Sequence, residues 1–379
     1  MNGRANIEAA FSHNGTNEIP AVICYEGIFI RDHWDTLISY PWWYTYEPDI
    51  EKQVLWRTEA IEKIGQDWTC LPYFYSYEDI KNIKIFEHDN NIYLYDERKK
   101  TKRKLEKPKV SGWGSKSIHS VKPGRLACTK DEIDSLIPVP DRSEDDNIIK
   151  QGKNSLALRI KNKYDKTLFP IVHVGSPLWY CYQIWGFEGM MTNIADNPEL
   201  VRYACDKYLQ LRLQEIKRAF LLGAKGIWFE ECFTDMISPE TFKEINVPVM
   251  RQMVDETRSF NMKSIYYYCG NPAKKLDMIL SCGTDAVSFE ESKKGFKIDI
   301  HEIVEYVNGR CTVLGNLDSY EILEKGTEEQ LEMEIKRQIK AGIKNRGKFI
   351  MSTGSPVTPE TTIARVGLYC DMVHEFGKI

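Results

Sequence analysis

Residues 264–290 read SIYYYCGNPAKKLDMILSCGTDAVSFE. Two short apolar runs, SIYYYC (264–269) and DAVSFE (285–290), are rich in aromatic and β-branched residues, and Gly, Asn, Pro or Thr punctuate their ends. Such runs read as strands. When they alternate with amphipathic connections, they mark β-strand and α-helix units around a parallel sheet.

The same rhythm extends in both directions. LFPIVHV (168–174) and GIWFEE (226–231) precede this stretch, and CTVLGN (311–316) and KFIMST (348–353) follow it. NPELVRYACDKYLQLRLQEIKRAFLLG and TEEQLEMEIKRQIKAG lie between them, with apolar residues at three- and four-residue spacing, as on one helix face. IPAVICYE (19–26) and DWTCLPYF (67–74) supply two more strands from the N-terminal half. Eight strands predict a closed α/β barrel, a (β/α)8 TIM barrel. Strands are expected to end near residues 26, 74, 174, 231, 269, 290, 317 and 353.

The stretch from 83 to 150 interrupts this pattern. IKIFEHDNNIYLYDERKKTKRKLEKP alternates around Asn90-Asn91 like a β-hairpin, and a polar segment follows. It is read as an insertion after strand two, within a single domain spanning 1–379. Its basic run from Arg98 to Lys104 reads as a solvated hairpin tip or as a docking patch for an acidic partner.

A formal net charge of −4 gives no reason to expect nucleic acid or an anionic membrane as partner. No run approaches the roughly 18 apolar residues of a membrane span, and a cytoplasmic location is expected. The ten cysteines are scattered singly without a CxxC pair, so they are expected to be reduced, and any thiolate metal site must be assembled from distant segments.

Three ordered segments resemble the uroporphyrinogen decarboxylase superfamily: Tyr267-Tyr268-Cys269-Gly270, Gly315-Asn316-Leu317-Asp318, and Thr353-Gly354-Ser355 with Pro359-Glu360-Thr361. These are similar to the His-x-Cys-Gly, Gly-Asn-Leu/Ile-Asp and glycine-turn motifs that end the family's fifth, seventh and eighth strands. GRANIEAAFSHNGTNEIPAV resembles its first helix, and MISPETFKEINVPVM the helix after strand four.

The resemblance implies one of two chemistries. Decarboxylases of this family carry arginines after strand one and an aspartate after strand two. Here CYEGIFIRDHWD offers Arg31 as the lone candidate cation, and CLPYFYS has no acid. A substrate bearing many carboxylates would lack its charge-assisted contacts. The thiol-activating methyltransferases hold zinc at positions matching Tyr267, Cys269 and Ser355, of which Cys269 alone is a suitable ligand, whereas zinc takes about three. The branch that removes methyl groups from methoxylated aromatics or similar donors is the better match.

The resemblance therefore implies methyl transfer from a small donor to the cobalt of a cobalamin carried by a separate corrinoid-binding protein. Zinc and a homodimer are left open. The alternatives are a porphyrinogen decarboxylase and a corrinoid-binding protein without catalysis.

Barrel enzymes place their chemistry at the C-terminal ends of strands. That filter selects Glu230, Tyr267 and Glu290 as catalytic candidates. A metal set would come from Glu230, Glu231 and Cys269, with Cys232 and Glu290 also available at neighbouring strand ends; salt bridges for the acids, and an inert buried thiol for Cys269, are the alternatives. His173, Trp179, Trp185, Asn316 and Asp318 are the candidate substrate contacts. A histidine satisfied by backbone competes with the first, and ordering of the mouth through hydrogen bonds with the last two. Aromatic clusters near Trp42 and after strand three suit a flat phenyl ether or a quaternary ammonium donor.

Overall fold

A computed structural model describes residues 2–110, 126–142, 145–293 and 295–379. Eight parallel strands form one sheet: β1 (Ala21–Val22), β2 (Trp68–Cys70), β6 (Phe169–Gly175), β7 (Gly226–Glu231), β8 (Lys263–Tyr268), β9 (Ala286–Phe289), β10 (Thr312–Leu314) and β11 (Phe349–Ser352). Their spatial order is β1-β11-β10-β9-β8-β7-β6-β2. All eight expected strands exist in the expected order, with helices around them, and the fold is a (β/α)8 barrel.

The barrel closes differently from its other seams. Between β1 and β2 a side chain replaces part of the ladder: Asp67 Oδ2 accepts the Ala21 N–H at 2.7 Å, while its own N–H donates to the Ala21 carbonyl at 2.8 Å. Asp67 Oδ2 also meets His374 Nε2 at 2.8 Å, tying the C-terminal helix Ile363–Phe376 to this seam. Here the two strands are much shorter than the runs 19–26 and 67–74 suggest, because Tyr25 takes a left-handed turn (φ 57°) into the helix Glu26–Asp32.

Strand side chains alternate between two faces, and this alternation sorts the barrel. Val22, Trp68, Ile171, Trp228, Ile265, Tyr267, Leu314 and Ile350 fill the interior. Tyr266, Tyr268, Phe229 and Phe289 face the surrounding helices instead. The YYY run is thus split, its central ring inward and the two flanking rings outward.

After β2 a helix with a Ser76/Asp79 capping box leads to an antiparallel sheet of β3 (Ile83–His88), β4 (Asn91–Asp96) and β5 (Thr101–Lys104). The turn falls on Asp89-Asn90, both at positive φ, one residue before the position expected. The basic run forms a third strand, and several of its charges are occupied by neighbouring side chains of the hairpin and of the helix before it. Arg98 pairs with Glu78 and Asp79, Lys99 with Asp96, and Lys102 lies 3.9 Å from the Tyr93 ring centre. Residues 111–125 and 143–144 of the expected insertion lie outside the described residues. No helix among the described residues is long and apolar enough to cross a membrane.

Candidate functional site

Consecutive residues at the end of β7 must point to opposite faces of the sheet, which divides the two adjacent acids. Glu230 continues the inward series of Trp228 and hydrogen-bonds Tyr25 from the turn after β1. Burial pushes its carboxyl above the ordinary value, against the opposing effect of the Tyr25 hydrogen bond. Cys232 Sγ lies 4.0 Å from Glu230 Oε1 and 3.2 Å from Cys269 Sγ. The neighbouring thiol and burial hold Cys269 protonated.

Glu231 faces the helix layer, where it is fully buried. Ser176 Oγ donates to it at 2.8 Å, Asn246 Nδ2 donates to its other oxygen, and the Tyr266 hydroxyl lies at 3.4 Å. It is therefore turned away from the mouth and does not join Glu230 and Cys269 as a metal ligand, which corrects that expectation. Burial raises its pKa to about 8 from the ordinary 4.5. A raised carboxyl pKa means that the folded state retains a proton the unfolded chain gives up. Stability is then fully present below pH 4.5 and falls as pH rises toward 8. Glu26, raised to about 7 by burial, acts in the same direction. Urea unfolding at pH 5 and pH 8.5 is expected to show a smaller loss for Glu231→Gln than for the parent; equal losses would refute the assignment.

On the far side of Cys269, Glu290 is engaged on both oxygens. Its Oε2 accepts the Gly270 N–H at 2.7 Å and its Oε1 pairs with Lys293. Gly270 has φ 92°, and a Cβ there would collide with the Asp235 carboxylate, so this turn requires glycine. Lys293 also donates to Ser355 Oγ at 2.8 Å and lies 3.7 Å from Glu291. Burial alone would lower the Lys293 pKa, but Glu291 and Glu290 outweigh it and hold the amine charged. The sequence reading missed Lys293 because one lysine in ESKKGFK has no distinguishing pattern.

Several other expectations need correction. The Tyr267 hydroxyl donates to the Gly354 carbonyl at 2.9 Å and its ring stacks on Trp228 at 4.9 Å, so it is a fixed wall and its proton is committed. Trp185 is buried and its indole N–H donates to the Ala127 carbonyl at 2.7 Å, a packing role behind the mouth. Trp179 lies in the first turn of the helix Pro177–Asp196 and packs on Tyr180 and over Gly175, and it does not line the mouth cavity. Asn316 donates to the carbonyls of Glu290 and Ile298, and Asp318 caps the N–H groups of Tyr320 and Glu321. Both order the rim through these hydrogen bonds.

His173 is the expected substrate contact that does line the cavity. This cavity, about 440 Å³, opens between the ends of β1, β2 and β6 and includes Tyr25, Arg57, Cys70 and Leu71. The His173 ring stacks on Trp228 at 5.6 Å and lies 5.5 Å from Tyr25, and burial lowers its pKa to about 4, which keeps it neutral. Tyr25 and His173 therefore present an uncharged aromatic wall to the cavity, with Trp228 and Tyr267 packed behind them and Glu230 bonded to Tyr25.

A zinc centre does not fit this arrangement. Among the described residues no group of three His, Cys, Asp or Glu side chains is disposed to hold a metal ion. The two thiols and Glu230 approach one another, but Glu231 faces outward and Glu290 is bound to Lys293 and Gly270.

A family model described as uroporphyrinogen decarboxylase matches residues 127–376. A uroporphyrinogen decarboxylase of Pseudomonas syringae pv. tomato is 21% identical over 264 residues, covering 67% of this chain and 70% of that protein. A methylcobamide:CoM methyltransferase of Methanosarcina mazei is 25% identical over 186 residues, covering 48% of this chain and 53% of that protein. Among solved structures, a methyltransferase from Methanosarcina mazei superposes with a TM-score of 0.68 over 99% of both chains at 17% identity, a likeness of fold.

Proposed function

The chain belongs to the uroporphyrinogen decarboxylase family, and we propose that within it the protein is a methyltransferase that moves a methyl group from a small methoxylated aromatic to the cobalt of a corrinoid protein. The observation that carries this reading is the mouth itself. It joins Glu230, a carboxyl that burial shifts upward and that Tyr25 hydrogen-bonds, to an uncharged aromatic wall of Tyr25 and His173, with Glu26 as a second buried acid on the same cavity and no acid in the CLPYFYS stretch that ends β2. Similarity to a protein named for methylcobamide supports the acceptor.

The donor's ring lies against Tyr25 and His173, which Trp228 and Tyr267 back from the barrel interior. An aryl methyl ether resists cleavage because the departing oxygen is basic, and a positioned proton donor lowers that barrier. Glu230 supplies the proton to the ether oxygen as the carbon–oxygen bond breaks, while the reduced corrinoid, as second substrate, provides the electron pair that bonds the methyl carbon. Water then returns the proton to Glu230. Tyr25 orients the carboxyl, and Lys293 with Ser355 holds Glu290 so that the Gly270 turn is fixed. No step uses zinc.

The decarboxylase alternative is tested directly by incubating the purified protein with uroporphyrinogen. No coproporphyrinogen is expected. Its formation at a rate comparable to a family decarboxylase would overturn the proposal.

A further inference from the structure

Arg57 lies in the middle of the helix Ile50–Ile64, with its guanidinium 4.1 Å from the Trp56 ring centre. Its Nε is buried without a hydrogen-bond partner, and among the described residues it has no ion pair within 4.0 Å. A cation drawn partly out of water without a partner is destabilised, so a half-buried guanidinium that faces a cavity with its Nε unbonded calls for an anion from outside the chain. The other cations on these walls have acids of their own: Arg31 meets Asp32 at 2.8 Å and Lys107 pairs with Asp35.

Glu26 is the acid that acts on Arg57 through space, but its oxygens receive the Thr69 hydroxyl at 3.2 Å and the Cys70 N–H at 3.0 Å. It moderates the charge without forming a contact ion pair. Arg57 is also a wall residue shared by three cavities. One is the mouth cavity; a second, about 260 Å³, is lined by Trp34, Trp42 and Trp56, and a third, about 290 Å³, by Tyr73 and Tyr75.

We infer that Arg57 anchors a carboxylate of the methyl donor, so that the donor is an aromatic acid whose ring lies along these aromatic walls. The planar fork of a guanidinium matches the two oxygens of a carboxylate. A single such cation suits one anionic group, not a many-carboxylate tetrapyrrole. The inference rests on the methyl-transfer reading for the donor's role, but the anion site itself is testable without turnover.

The test measures calorimetric binding of 4-methoxybenzoate and of methoxybenzene to the protein alone, with no corrinoid protein present. The parent is expected to bind the carboxylate at least tenfold more tightly, Arg57→Gln to lose that preference, and Arg57→Lys to retain the charge but lower the preference at least threefold. Equal binding of the two compounds by the parent overturns the inference, as does a preference undiminished in either variant. If Arg57→Gln does not fold, the parent and Arg57→Lys decide. A carboxylate preference without methyl transfer would sink the functional reading alone, and methyl transfer without the preference would sink this inference alone.

Discussion

Glu230→Gln is expected to lower methyl transfer from an unactivated aryl methyl ether about 100-fold, the lower end of what a positioned proton donor contributes. Gln keeps the shape and a hydrogen bond to Tyr25 but has no acidic proton to give. The defect should depend on the leaving group. A donor whose ring carries a nitro group para to the ether departs as a weakly basic phenolate and has less need of a proton, so the variant should approach the parent rate with it. Thermal unfolding should be nearly unchanged, since Glu230 is half-buried and shares no ion pair among the described residues. An equal defect with both donors would assign Glu230 to positioning, and no defect would remove it from the mechanism.

Trp228→Ala is expected to destabilise the fold by about 3–5 kcal/mol, the range for deleting a large buried aromatic. The indole is fully buried in the barrel interior, 5.5 Å from the Trp68 ring, 4.9 Å from Tyr267 and 5.6 Å from His173. Close-packed interior layers cannot collapse into the space left behind, because each neighbour is held by its own strand. Trp228→Phe should cost under about 1.5 kcal/mol, since most of the volume remains and the lost indole N–H has no hydrogen-bond partner among the described residues. Denaturant midpoints measure both. A loss below 1 kcal/mol for Trp228→Ala would mean that Trp228 is not a packing centre.

The strands were legible because apolar runs such as GIWFEE and SIYYYC stand out against the helices between them. The inward and outward faces could also have been separated, since two adjacent acids on a strand cannot both enter the barrel; treating Glu230 and Glu231 as partners overlooked that period of two. Other features depend on tertiary placement. Asp67 closes the barrel by replacing backbone hydrogen bonds with its own carboxylate, which no propensity signals. Arg57 is one charge in the helical pattern EKQVLWRTEAIEKI, and its lack of a partner follows from what the fold brings beside it. Cys232 was named beside Cys269 from its place after a strand, but the 3.2 Å approach of the two thiols follows from the pairing of β7 with β8. Asn316 and Asp318 were readable as rim-ordering residues, because Asn and Asp after a strand commonly bond nearby backbone.

The central claim is that the methyl carbon leaves its ether and arrives on cobalt. Incubating the protein with a methoxybenzoate labelled with carbon-13 in its methyl group and a reduced corrinoid protein, then following the label by NMR, tests this directly. The account predicts that the methoxy resonance is replaced by a cobalt-bound methyl resonance, with one equivalent of the free phenol formed. A methoxy resonance that persists unchanged, while the same protein releases carbon dioxide from a porphyrinogen, would contradict it.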